Sequence, residues 1–211
     1  MSIFEVFFIP PCPDTKLSLG YHFLASYKIW GSFFLFGLIP ILMIKYYFQE
    51  KLSNYGLQLG NVKRGLGFFL CMIPVMAGCA YFAGTNPKFH AVYPYNRLLT
   101  GHDSFFVFHA VLYPAYYFGW EFFFRGFLQN GLRKTIGLGN AILFQSLAST
   151  MLHFGHPGIE VYASLFAGMF WGIIAHRVRS VWSGVLQHSL LGILLDWFLL
   201  QTQSGKNFPS A

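Results

Sequence analysis

Six stretches with no Asp, Glu, Lys or Arg recur along the 211-residue chain, at 29–44, 65–87, 104–120, 135–152, 161–175 and 180–195. Extended by a few residues at its ends, each approaches the roughly 20 residues that a helix needs to cross a bilayer. None alternates polar and apolar positions as a membrane-barrel strand does, and a helix satisfies all its backbone hydrogen bonds internally. The pattern predicts an all-α polytopic membrane bundle of about six transmembrane helices over residues 29–200, with a functional core at about 104–200. Residues 1–28 are apolar but short and broken by Pro10, Pro11 and Pro13, which predicts an interfacial or re-entrant piece rather than a further span. Residues 201–211 read as a tail.

Composition strengthens this picture. Hydrophobic residues make up 55% of the chain and charged ones 10%, with 26 Phe, too many for a small soluble core to bury. The net charge of +7 comes from basic residues scattered singly and in pairs, with no basic stripe, which argues against a nucleic-acid partner. Cys71 and Cys79 lie about 12 Å apart along one helical run, too far for a disulfide, and Cys12 is left over. The N-terminus lacks a basic segment, an apolar stretch and a small-residue cleavage site in that order, so the first span is expected to act as an uncleaved anchor. Placing the loop after the first span inside the cell groups Lys45, Lys51, Lys63, Arg64, Arg133, Lys134, Arg177 and Arg179 there. Lys16, Lys28, Lys88, Arg97 and Lys206 remain on the other side, a balance that puts both termini outside.

Ionisable residues within apolar runs are expensive, about 2.5–3.5 kcal/mol each on insertion scales, and call for a partner or a task. Glu121 and Arg125 in the WEFFFRG stretch are four residues apart on one helix face, where the guanidinium can neutralise the carboxylate. A self-satisfied ion pair that merely lets the helix insert is the simplest account of them. His153 ends the fourth run in a turn containing Gly155, Pro157 and Gly158, a place where an imidazole often only caps a helix. His188 lies well inside the sixth run and repeats its face at Gly192 and Asp196. Glu160, Ser164, Gly168 and Gly172 form another stripe of four-residue spacing, whose small members suit close helix packing while Glu160 is placed to reach back toward His153. A shared, water-filled cavity would satisfy Glu121, Arg125, His153, Glu160, His188 and Asp196 together.

A Glu-xxx-Arg helix, a His about thirty residues on and a further His in a later span resemble the CPBP family of intramembrane glutamic proteases, which includes CAAX prenyl endopeptidases and bacteriocin-processing or immunity proteins. The NYGLQLG segment at 54–60 is similar to the lead-in upstream of that family's core, and the resemblance covers roughly 50–200. Two glutamates usually open the first motif, and here the pair reads Trp120-Glu121. Ser149 stands where a Phe usually precedes the second-motif His, and Gly192 stands at the Asn of the third motif, HxxxN. The pattern resembles the single-glutamate variants of the family, with Glu121 as base or Glu160 replacing the missing carboxylate.

The resemblance implies an intramembrane endopeptidase without cofactor, cleaving a membrane-anchored protein or peptide precursor from within the lipid bilayer, in a multi-pass protein of the cell membrane, a bacterial inner membrane by expectation. Glu121, oriented by Arg125, would take a proton from water polarised by His153, and His188 would donate to the oxyanion. Two rivals stand beside it. A zinc protease would use His153, His188 and a glutamate, although no HExxH spacing is present and Arg125 would repel the cation. A non-catalytic scaffold or immunity-type homologue would keep the polar core and lack the chemistry. A small transporter is disfavoured, because no internal repeat is visible. Oligomeric state stays open, since the Gly168–Gly172 face suits packing within one chain or between copies.

Overall fold

The computed structural model describes residues 29–93 and 103–203, and every regular element among them is helical. The expected 1–28 segment and most of the 201–211 tail lie outside the described residues. Among the described residues, four helices are long and apolar enough to cross a membrane: α1 (Ile29–Tyr47), α2 (Val62–Thr85), α7 (Gly158–Val178) and α8 (Trp182–Gln203, apolar to Thr202). A short helix, α3 (Pro87–His90), follows α2. The third expected span falls in α4 (Asp103–Glu121), which runs through a π-helical segment, Phe122–Leu128, into α5 (Gln129–Ile136). Gly137, at φ 80°, breaks that run, and the fourth expected span is α6 (Leu138–Met151). Its 14 residues rise about 21 Å, less than the roughly 30 Å of hydrocarbon, so α6 by itself is too short for the span expected there.

Local chemistry accounts for the irregular turns. Pro40 cannot donate its backbone nitrogen, and α1 alternates π-helical turns at Phe33–Leu38 and Met43–Tyr47 around the short α-helical piece that contains it. Asn61 caps α2 by accepting the Arg64 N–H at 3.0 Å.

Polarity is distributed inside out. Glu121, Gln129, Gln145 and Gln187 are completely buried, while Phe34, Leu70, Tyr162 and Phe166 are exposed. Apolar side chains outside and polar ones inside are what a hydrocarbon solvent selects. α8 packs chiefly against α2 and α4, and α7 against α6. The α7 stripe of small residues packs within the chain, as the spacing suggests. A Cβ on Gly168 would stand 3.1 Å from the Ser146 side chain, and one on Gly172 would stand 2.7 Å from Gln129 Oε1. That closeness lets Gln145 Nε2 donate to the Gly168 carbonyl (3.0 Å) and Gln129 Nε2 to the Gly172 carbonyl (2.9 Å). Ser164 belongs to the same seam, donating to the Val161 carbonyl at 2.7 Å and lying 3.2 Å from Thr150 Oγ1.

Candidate active site

The site starts from the change of helical pitch after Glu121. A π turn carries an extra residue and leaves carbonyls without their usual partners, a feature frequent at functional sites. Asn130 Nδ2 donates to two carbonyls of this segment, those of Arg125 (3.1 Å) and Gly126 (3.0 Å), the second of which also accepts the Gln129 N–H. Glu121 stands at the end of α4, which packs on α8, and Arg125 stands on the widened turn that follows, which packs on α6 and α7.

Glu121 Oε1 lies 3.0 Å from His188 Nδ1, and Oε2 lies 3.5 Å from Arg125 Nε. Gly184, one turn before His188 on α8, makes the approach possible, since a Cβ there would stand 2.5 Å from Glu121 Oε2. The His188 ring is held between two aromatic faces, Tyr117 at 4.1 Å and Trp171 at 4.3 Å between ring centroids. Gln187 accepts the Trp171 indole N–H at 3.2 Å and fixes that ring in turn. The Arg125 guanidinium lies 5.8 Å from the Trp171 ring and from the Phe124 ring, within cation–π range. Among the described residues, Glu121 Oε2 and Arg125 Nε and Nη1 find no hydrogen-bond partner, although all three atoms are buried. A buried polar centre with donors and an acceptor to spare has the chemistry to hold a small polar reactant.

Other residues expected in one cavity lie in neighbouring clusters. His153 Nδ1 is 2.9 Å from the Ser149 carbonyl, and its ring meets the edge of Trp120 at 5.5 Å. The same indole also meets the His188 ring edge-on, at 6.4 Å, so the side chain that replaces the first glutamate touches both imidazoles. Glu160 is bonded to His156 Nδ1 (2.8 Å) and to the Tyr93 hydroxyl (2.6 Å). Asp196 accepts the hydroxyl of Tyr113. The contact partner of Glu121 is thus His188, the imidazole expected to serve the oxyanion, and the expected water-polarising His153 contacts the Trp120 indole. Among the described residues, no three His, Cys, Asp or Glu side chains gather as a metal ion would require.

Sequence reasoning missed Tyr117, Trp171, Gly184 and His156. His156 was accessible, four residues before Glu160. Tyr117 and Trp171 carried no signal among so many aromatics. Tyr117 matters because a Cβ on Gly192 would stand 2.9 Å from its hydroxyl oxygen, and among the described residues that hydroxyl makes no hydrogen bond. The hydroxyl therefore occupies the space above Gly192, the position at which the resemblance places an Asn.

Residues 103–204 match the family described as type II CAAX prenyl endopeptidase Rce1-like. No curated protein and no solved structure matches the chain. The matched segment begins with α4 and contains Glu121, Arg125, His153 and His188, together with the Tyr117, Trp171 and Gly184 that enclose them. Over these residues the chain is similar to the Rce1-like type II CAAX prenyl endopeptidases, a match consistent with a CPBP-type helical membrane protease.

Proposed function

We propose that this chain is a multi-pass intramembrane endopeptidase that hydrolyses a membrane-anchored protein or peptide precursor through a Glu121–His188 dyad. The supporting observation is the 3.0 Å contact between His188 Nδ1 and Glu121 Oε1. An ionised carboxylate only accepts, so the shared hydrogen sits on Nδ1 and Nε2 of the neutral ring keeps its lone pair. Nε2 is then the base that takes a proton from water, and the Glu121 charge supports the resulting imidazolium. The hydroxide formed adds to the peptide carbonyl carbon. The oxyanion is met by the Tyr117 hydroxyl or the Arg125 guanidinium, and the imidazolium returns its proton to the leaving amine as the C–N bond breaks. One preorganised oxyanion donor is worth about 10²–10³ in rate in soluble enzymes. Glu121 as the direct base, suggested by the family pattern, uses the same residues with the proton held on the carboxylate.

The test is comparative proteomics of membrane-protein termini from cells carrying the wild-type protein or His188→Gln at matched abundance. Gln keeps an N–H for Glu121 but offers no titrating nitrogen. New termini present with wild type and absent with the variant are expected. Identical termini in both would end the protease reading. They would favour the scaffold reading, to which the Trp120 indole touching both imidazoles gives its one specific support. Processing that a chelator stops and zinc restores would favour the metal reading instead.

A further inference from the structure

Away from the buried site, three arginines surround a cavity of about 490 Å³ lined by Gln58, Gly60, Asn61, Arg64, Arg177, Val178 and Arg179. We infer that this cavity binds the phosphate of an anionic glycerophospholipid at the membrane surface.

The cavity is formed by docking of the loop before α2 onto the C-terminal end of α7. Asn61 N donates to the Val178 carbonyl (2.8 Å), Gln58 Nε2 to the Arg179 carbonyl (3.1 Å) and Arg64 Nη1 to the Arg177 carbonyl (3.3 Å). Gly60, at φ 61°, makes that docking possible, because a Cβ there would collide with the Val178 carbonyl oxygen. These bonds have an electrostatic consequence. The C-terminus of a helix presents carbonyls that repel an anion, and here three consecutive carbonyls are already taken by donors. The N-terminus of α2, with the favourable end of its dipole, lies at the same cavity.

The three guanidinium groups have no acidic neighbour in the lining, and none of the three makes an ion pair among the described residues. A cluster of three like charges repels itself and is relieved by a bound anion. Position selects the source of that anion. Arg64 is at the start of α2 and Arg177 and Arg179 are at the end of α7, two helices able to cross a membrane, so the cavity stands at the level where lipid phosphates lie. The same helices carry exposed apolar side chains for acyl chains, Val62, Leu66 and Leu70 on α2 and Phe166, Phe170 and Ile173 on α7. Basic pockets of this kind at helix ends are suited to lipid headgroups, at about a factor of five in affinity per cationic side chain.

The experiment uses the full chain in a neutral detergent, titrated with phosphatidylglycerol, with phosphatidylcholine of the same acyl chains, and with inorganic phosphate. Retained lipid is counted by native mass spectrometry and the melting temperature is followed. Phosphatidylglycerol is expected to saturate one site and raise the melting temperature, with the other two probes inert at matched concentration. Arg177→Gln/Arg179→Gln is expected to weaken that binding about 30-fold. Lys45→Gln/Lys51→Gln, which removes the same charge away from the cavity, should leave it unchanged. Equal binding of phosphatidylcholine, equal stabilisation by inorganic phosphate, or undiminished binding by the arginine variant would each overturn the inference. Should the arginine variant fail to fold, the three-probe comparison on the wild-type chain decides by itself.

Discussion

Glu121 is placed by two contacts and one absent side chain, and each makes a separable prediction. His188 donates to one oxygen, Arg125 lies beside the other, and the missing Cβ of Gly184 leaves room for both. Glu121→Gln leaves the buried Arg125 charge without its counter-ion, a change worth about 3–5 kcal/mol of stability. Glu121→Gln/Arg125→Met removes both charges at similar volume and should recover most of that loss in thermal melting, while processing stays absent in both variants. Gly184→Ala acts differently. The added methyl has to displace a carboxylate pinned on two sides, so activity should fall by more than the about 1–3 kcal/mol that overpacking takes from stability. Rate and melting temperature falling together in proportion would show that the glycine serves packing alone. Tyr117→Phe tests the hydroxyl above Gly192, with a drop in kcat and little change in KM expected if it meets the oxyanion.

Helices contribute by their seams and their interruptions. α7 is anchored to its neighbours through backbone exposed by glycine, with Gln129 and Gln145 reaching the carbonyls of Gly172 and Gly168. Gly172→Leu should therefore push α7 away from both glutamines and lower the melting temperature more than Ile173→Ala, which truncates an exposed side chain on the same helix. The other end of the α4–α5 run is tied to the chain after α1 by Lys134, whose Nζ lies 3.1 Å from Glu50 Oε1. The Lys134 hydrogen bond holds the Glu50 carboxyl below its ordinary value, helped by Asn54 and Tyr55. A carboxyl lowered by folding stabilises the fold at pH above its unfolded value and stops doing so as pH falls through its folded value. Lys134→Met should accordingly flatten the acid limb of a stability–pH curve slightly, because the pair is exposed to solvent.

For the whole molecule, the test concerns which surface meets lipid. Cys71 and Cys79 are both exposed in the bundle, yet both lie well inside α2, one of the four helices able to cross a membrane. In a Cys12→Ser background, a charged maleimide should leave both thiols unlabelled in sealed or leaky vesicles and label them after denaturation in detergent. Rapid labelling of either thiol in intact vesicles would place α2 outside the bilayer. The inverted polarity, with Glu121, Arg125 and Asp196 inside and phenylalanines outside, makes shielding by lipid the expected result.

Sequence alone determined the helical class, the apolar surface and the identities of the costly residues, because each follows from the free energy of placing a side chain in hydrocarbon, a property read one residue at a time. It also determined that Glu121 and Arg125 share a face, since helical periodicity is local. Tertiary structure decided which imidazole meets the carboxylate, and it chose His188 over His153, with Trp120 touching both. That choice depends on the π turns after Glu121, on the glycine at 184 and on the aromatic faces of Tyr117 and Trp171, none of which has a periodic signature. It likewise sent Glu160 to His156 and Tyr93, and Asp196 to Tyr113. Side chains on separate helices meet according to helix depth and rotation, which are set by packing across the whole bundle, and spacing along one chain carries no record of them.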